Sequence, residues 1–202
     1  MKKKTCTEQQ IFVYYSACRN VSPVWNIIIT ELPMSVDYDA VMRAIKNRRS
    51  IRRFNQATVE RKKIEMLLEA ARWAPSAGNA QPWEFVIIND GDTIQRLKTV
   101  MTGIMGNIKE GPVLLLICIN KKRETVWTRY DIGCALQNIL LCAHCTGLGA
   151  CAIGGFDESM IGRLLDLPEH LEPSLFITVG YPERDVPAPS RRAIDELVAR
   201  EV

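Results

Sequence analysis

Histidine is nearly missing from this chain of 202 residues, which carries only His144 and His170. His144 lies in an apolar stretch and His170 follows "LPE", so neither has a serine or cysteine partner suited to nucleophilic catalysis. G-x-S-x-G, H-E-x-x-H and paired-carboxylate patterns are absent as well. So are a G-x-G-x-x-G after a strand and a G-x-x-x-x-G-K-[ST], which disfavours a Rossmann or nucleoside-triphosphate site. Long apolar runs are lacking: "VLLLICI" at 113–119 is far too short to span a bilayer. Charge of one sign is lacking too. Lys and Arg total 26 against 23 Asp and Glu, a net of +3, which gives no general hold on a polyanion. Neither a nucleic-acid nor a membrane partner is expected.

Cysteine is present seven times, an odd number, and Cys118, Cys134, Cys142, Cys145 and Cys151 fall in segments that read as core. The one C-x-x-C is "CAHC" at 142–145, and on a helix Cys142, Cys145 and His144 could approach a metal. No second ligand pair stands nearby, so no metal is expected. Thiols acting as small hydrophobes in a reducing cytoplasm are the better reading.

Residues 1–33 differ in character from the rest of the chain. "MKKKTCTEQQIFVYYSAC" has a basic start, but about eight apolar residues, with Glu8, Gln9 and Gln10 before them, make a poor signal peptide. An N-terminal arm, disordered or belonging to an upstream start, is expected for 1–33, with the folded domain at 34–202. Asp37 is placed to cap a helix reaching about Arg48, with Val41, Ala44 and Ile45 inward. Thr58 is expected to cap a second helix carrying Ile64, Leu67, Leu68 and Ala71 and ending before Pro75. Strands are expected at 84–89, 112–120, near 150–153 and at 174–180. Helices are expected from Asp92 to Met101, over 130–149, after Asp157, and after Arg192. The 130–149 helix is apolar nearly all round, which suits the centre of a fold or a subunit interface. Four strands among five or more helices make a layered α+β or α/β domain.

Four stretches carry chemistry. "KNRRSIRRF" at 46–54 places Arg48, Arg49, Ser50, Arg52 and Arg53 where a helix ends; guanidinium groups grip phosphate oxygens in forked pairs, although a solvated turn answering the helix dipole is the plainer reading. Ser190, Arg191 and Arg192 form a second Ser-Arg group. Gly154 and Gly155 follow a strand and let a backbone N–H approach a ligand, or simply make a tight turn. "APSAGNAQPW" at 74–83 holds Ser76, Asn79 and Gln81 in an almost uncharged turn, as a flat, polar-edged ligand would require. Phosphate grips without an acid–base set suggest that a cofactor does the chemistry.

Together, "RRSIRRF", "APSAGNAQPWEFVII", "YDIGCALQNILLCAHCTGLGACAIGGFD" and "VGYPERDVPAPSRRAIDELV" resemble the flavin-dependent nitroreductase family, in its order and spacing, over residues 37–202. The resemblance implies an α+β fold, a layered α/β/α sandwich around a mixed central sheet, in an intertwined homodimer with one FMN at each of two interface sites. It implies that Ser76, Asn79 and Gln81 address the ring edge and ribityl chain. Arg48, Arg49 and Ser50 would hold the phosphate side, and Arg52 the pyrimidine edge. Ile153, Gly154 and Gly155 would face the ring with a backbone N–H toward N5, and Arg191 would be a further phosphate ligand. No side chain is expected to be catalytic, since flavin N5 carries the chemistry. The implied reaction is ping-pong hydride transfer from NADH or NADPH to a nitroaromatic, quinone or similar small acceptor. The alternative is a non-catalytic FMN-binding protein for storage, sensing or relay. Similar scaffolds serve reductive dehalogenation and flavin fragmentation with added lids; the short connection from Met101 to Pro112 favours the simple reductase. Two departures stand out: Ala152 where the family often has Pro, and Pro189 where it often has Lys.

Overall fold

The computed structural model describes residues 37–101 and 112–201, so the expected arm at 1–33 and the Met101–Pro112 connection lie outside the described residues. Val41–Val202 clusters as one compact unit. The helices among the described residues are α1 (Tyr38–Asn47), α2 (Arg61–Arg72), α3 (Gly91–Val100), α4 (Thr128–Cys145) and α5 (Glu158–Leu164). Their strands are β1 (Trp83–Ile88), β2 (Val113–Asn120), β3 (Gly149–Ile153) and β4 (Leu171–Gly180), in the order β1-β2-β4-β3.

Strand β2 sits inside the sheet and is buried at every position, as its unbroken apolar run dictates. Its alternate side chains divide between two cores. Val113, Leu115, Ile117 and Ile119 join Ile64, Leu67 and Ala71 of α2 and Ile132, Ala135, Ile139 and Ala143 of α4. Leu114, Leu116 and Cys118 face the other way, onto Ile94 and Leu97 of α3 and Ile161 of α5. Helices therefore cover both faces, and the expected three layers are present.

The sheet is less mixed than expected. Among the described residues all three ladders are antiparallel, and parallel pairing is confined to the Ser50–Ala150 bridge. For β1 and β2 the reason is local: Ile88 at the end of β1 lies opposite Leu114 at the start of β2, so the two strands need no crossover to the far end of the sheet.

Four local details differ from expectation. Asp37 caps α1 as expected, accepting from Ala40 N at 3.0 Å, yet α1 buries nothing and Val41 and Ile45 are exposed. Glu60, not Thr58, precedes α2, and its carboxylate accepts from the Tyr181 hydroxyl at 2.7 and 2.8 Å, which ties the helix start to the end of β4. Strand β4 starts at Leu171 and admits Pro173 opposite the register shift between Ile117 and Cys118, where β3 no longer pairs with it. The helix expected after Arg192 is a single turn with Ile194, Leu197 and Val198 exposed, because nothing in the described chain covers its apolar side.

Candidate functional site

After α1 the chain runs along the outer edge of β3. Ser50 bridges Ala150, and Ile51 N donates to the Ala150 carbonyl at 3.0 Å. Farther on, Asn55 N donates to Tyr181 O at 2.9 Å and Glu183 N to Arg53 O at 3.1 Å. This lacing brings Arg48 and Arg52 to β3. Burial pushes the Cys151 thiol upward in pKa, while the nearby positive charges of Arg52 and Arg48 pull it back. Among the described residues neither arginine has an ion-pair partner. Two positions beyond Cys151, Ile153 is buried and leads into exposed Gly154 and Gly155. Gly155 has φ +89°, a left-handed backbone that favours glycine, and a Cβ added at Gly154 or Gly155 would meet nothing within 4 Å among the described residues.

Arg49 is engaged elsewhere. Its Nη1 donates to the carbonyls of Lys46 at 2.6 Å and Arg48 at 2.9 Å, closing the C-terminus of α1, and its Nε is buried without a partner. It lines a cavity of about 180 Å³ that also touches His144, Arg184 and Asp185. Arg191 lies in the exposed tail, where its guanidinium turns back onto the carbonyls of Ser190 at 3.0 Å and Pro189 at 3.4 Å.

The third group sits between α2 and β1. Ala77–Asn79 forms a short 3₁₀ turn in which Gly78 has φ +57° and Asn79 +56°, and Gln81 just beyond it has +47°. Left-handed backbone at a residue with a long side chain is strained and survives only where its surroundings enforce it. Here Ser76 Oγ accepts from Gln81 N at 3.0 Å, and Asp131 Oδ1 accepts from Ala77 N at 3.1 Å. Asp131 stands buried in the first turn of α4. Sequence reasoning missed it; an acid in the first turn of an otherwise apolar helix was the available signal.

One chain holds these groups on different sides. Arg48, Ser50, Arg52 and Ile153–Gly155 belong to the β3 edge, whereas Ser76, Asn79 and Gln81 lead into β1 at the opposite edge, with β2 and β4 between. Three strand spacings come to about 14 Å.

The nitroreductase family model matches residues 45–107 and 101–181, which include every one of these groups except Arg191. The chain belongs to the nitroreductase family. A candidate NADH dehydrogenase/NAD(P)H nitroreductase of Methanothermobacter thermautotrophicus is 36% identical over 150 residues, covering 70% of this chain and 77% of the relative. Among solved structures, a candidate NADH oxidase of Clostridium acetobutylicum superposes with a TM-score of 0.71 at 31% identity, over 79% of this chain and 99% of that one. A candidate nitroreductase of Desulfovibrio desulfuricans in complex with FMN gives 0.70 at 31%, over 80% and 96%.

Proposed function

We propose that this protein is an FMN-dependent NAD(P)H oxidoreductase that acts on small acceptors such as nitroaromatics or quinones. The observation that carries the reading is the lacing of Arg48, Ser50 and Arg52 beside Ile153–Gly155 along β3. Two guanidinium groups with no ion-pair partner among the described residues and a hydroxyl beside them are donors that a phosphate and a carbonyl-rich ring require, so the residues present fit FMN. FMN, when bound, supplies two-electron transfer between NADH or NADPH and the acceptor in two half-reactions.

The chain's own work is binding and electrostatics. Arg48 and Ser50 hold the phosphate. Arg52 sets a cation at the pyrimidine edge, where negative charge gathers on reduction. The backbone at Gly154 and Gly155 carries no side chain to keep a flat ring at a distance, and Ile153 closes the site from behind. Ser76, Asn79 and Gln81 supply uncharged donors and acceptors for the ring edge and ribityl hydroxyls. Arg49 is left out of this set, because its guanidinium is held on the end of α1.

The same geometry supports a homodimer. The two groups leave opposite edges of one sheet, so a site using both is best closed by two copies, each lending its turn at 76–81 to the other. Exposed Trp73, Trp127 and Tyr130 near that turn supply apolar surface for such a contact.

The test is a spectrum of the purified protein, then anaerobic addition of NADH and NADPH. A flavin spectrum that bleaches with either nicotinamide and recovers with a nitroaromatic or quinone supports the reading. A yellow protein that neither nicotinamide bleaches is a non-catalytic flavoprotein. A colourless protein that takes up no FMN refutes the site.

A further inference from the structure

Strands β3 and β4 meet glycine against glycine: Gly149 pairs with Gly180 across the ladder. Neither needs the left-handed backbone that usually explains a glycine. What they provide is closeness. A Cβ added at Gly149 would stand 2.6 Å from Ile51 Cβ, 2.7 Å from Cγ1 and 2.8 Å from Cγ2. One added at Gly180 would stand 2.9 Å from Phe54 Cδ1 and 3.2 Å from Cγ. Ile51 and Phe54 are buried at 7% and 5% exposure, and they are the first and last anchors of the stretch that carries Arg52 and Arg53. Ser50, directly before Ile51, makes the bridge to Ala150.

We propose that the paired glycines Gly149 and Gly180 are positioning residues for the cofactor: a floor without side chains that sets how closely the Arg48–Phe54 segment approaches β3, and so fixes Arg48, Ser50 and Arg52 relative to Ile153–Gly155. This deepens the FMN reading and rests on it. The two glycines do not contribute equally. At Gly149 the obstructing atoms include the Cβ of Ile51, which can retreat only if its backbone moves. At Gly180 the nearest atom is the edge of a phenyl ring, which can tilt.

The experiment uses full-length protein and two readouts, FMN dissociation by fluorescence titration and thermal unfolding. Leu97→Ala, buried on α3 in the core with Leu114 and Leu116, is the control for general destabilisation. Overpacking at Gly149→Ala is expected to weaken FMN binding about tenfold or more and Gly180→Ala about threefold, while Leu97→Ala stays within about twofold at an equal or larger loss of Tm. Adding Ile51→Gly to Gly149→Ala removes all three obstructing atoms and should recover part of the lost affinity. Gly180→Ala carries the test if Gly149→Ala does not fold. Wild-type affinity in both glycine variants, or equal loosening in Leu97→Ala at matched Tm loss, overturns the proposal alone. A wild-type protein that binds no FMN overturns the functional reading and this proposal with it.

Discussion

Replacing Asp131 with alanine should release the turn at 76–81. The carboxylate is buried, and its one described bond runs from Ala77 N to Oδ1 at 3.1 Å. A hydrogen bond to a charged group contributes about 1.5–3 kcal/mol net. Against it stand the left-handed conformations of Asn79 (φ +56°) and Gln81 (φ +47°). Each costs roughly 1 kcal/mol, so the two together amount to about 2 kcal/mol of strain. The bond and the strain are of one size. Losing the first leaves only Ser76 Oγ and local backbone bonds to hold the second. Asp131→Ala is therefore expected to cost about 2 kcal/mol of stability and to weaken FMN binding. Asp131→Asn should cost less, since it keeps an acceptor for Ala77 and removes a charge whose Oδ2 is buried without a partner. Hydrogen exchange by mass spectrometry reads the effect directly: amides 77–81 should exchange faster in Asp131→Ala, while those of β2 change only by the global loss. Unchanged exchange at 77–81 beside unchanged flavin affinity would refute the reasoning.

Arg48→Ala should weaken FMN binding by about 1.5–3 kcal/mol by fluorescence titration, the range for a charge-assisted hydrogen bond. Arg61→Ala, which removes only an exposed pair with Glu65, should leave it unchanged; equal loss in both variants would mean that stability was being measured. Light scattering at micromolar concentration should give about twice the chain mass, against a monomer that retains FMN. Burial pushes the Cys118 thiol up to about 12, so folding favours its protonated form; that contribution is whole below the ordinary thiol value of 9.0 and is lost as pH rises from there toward 12. Alkylation at pH 8 should therefore mark exposed Cys145 and spare Cys118, and labelling of Cys118 at the same rate would contradict its place in β2. A chain beginning at Met34 should keep its flavin, because every candidate site residue lies at Arg48 or beyond; a colourless product would assign 1–33 to the fold.

The sequence was most informative where one local signal decided the structure. Strand β2 follows from an unbroken apolar run bounded by Gly111 and Pro112, and α5 from Asp157, whose carboxylate accepts from Met160 N at 2.8 Å as a cap should. It was least informative where distant partners decide. Thr58 has the better capping chemistry, but the Tyr181 hydroxyl, far along the chain, makes Glu60 the start of α2. Pro173 reads as a strand breaker, yet it enters β4 because only one neighbour needs its edge there. Arg48, Arg49 and Arg52 look equivalent in "RRSIRR", and only coordinates separate the arginine that closes a helix from the two drawn to β3. The roles of Gly149 and Gly180 were hidden for the same reason, since Ile51 and Phe54 reach them from about a hundred residues away or more.

The seam between Ser50 and Ala150 also protects the sheet. Strand β3 is an edge, and an uncovered edge strand is a template on which another chain can pair. The arginine segment is what covers it, so loosening the segment would also open Gly149–Ile153 to strand addition. Variants in this stretch should then lose colour and solubility together, with aggregates forming first in flavin-depleted protein and added FMN slowing them.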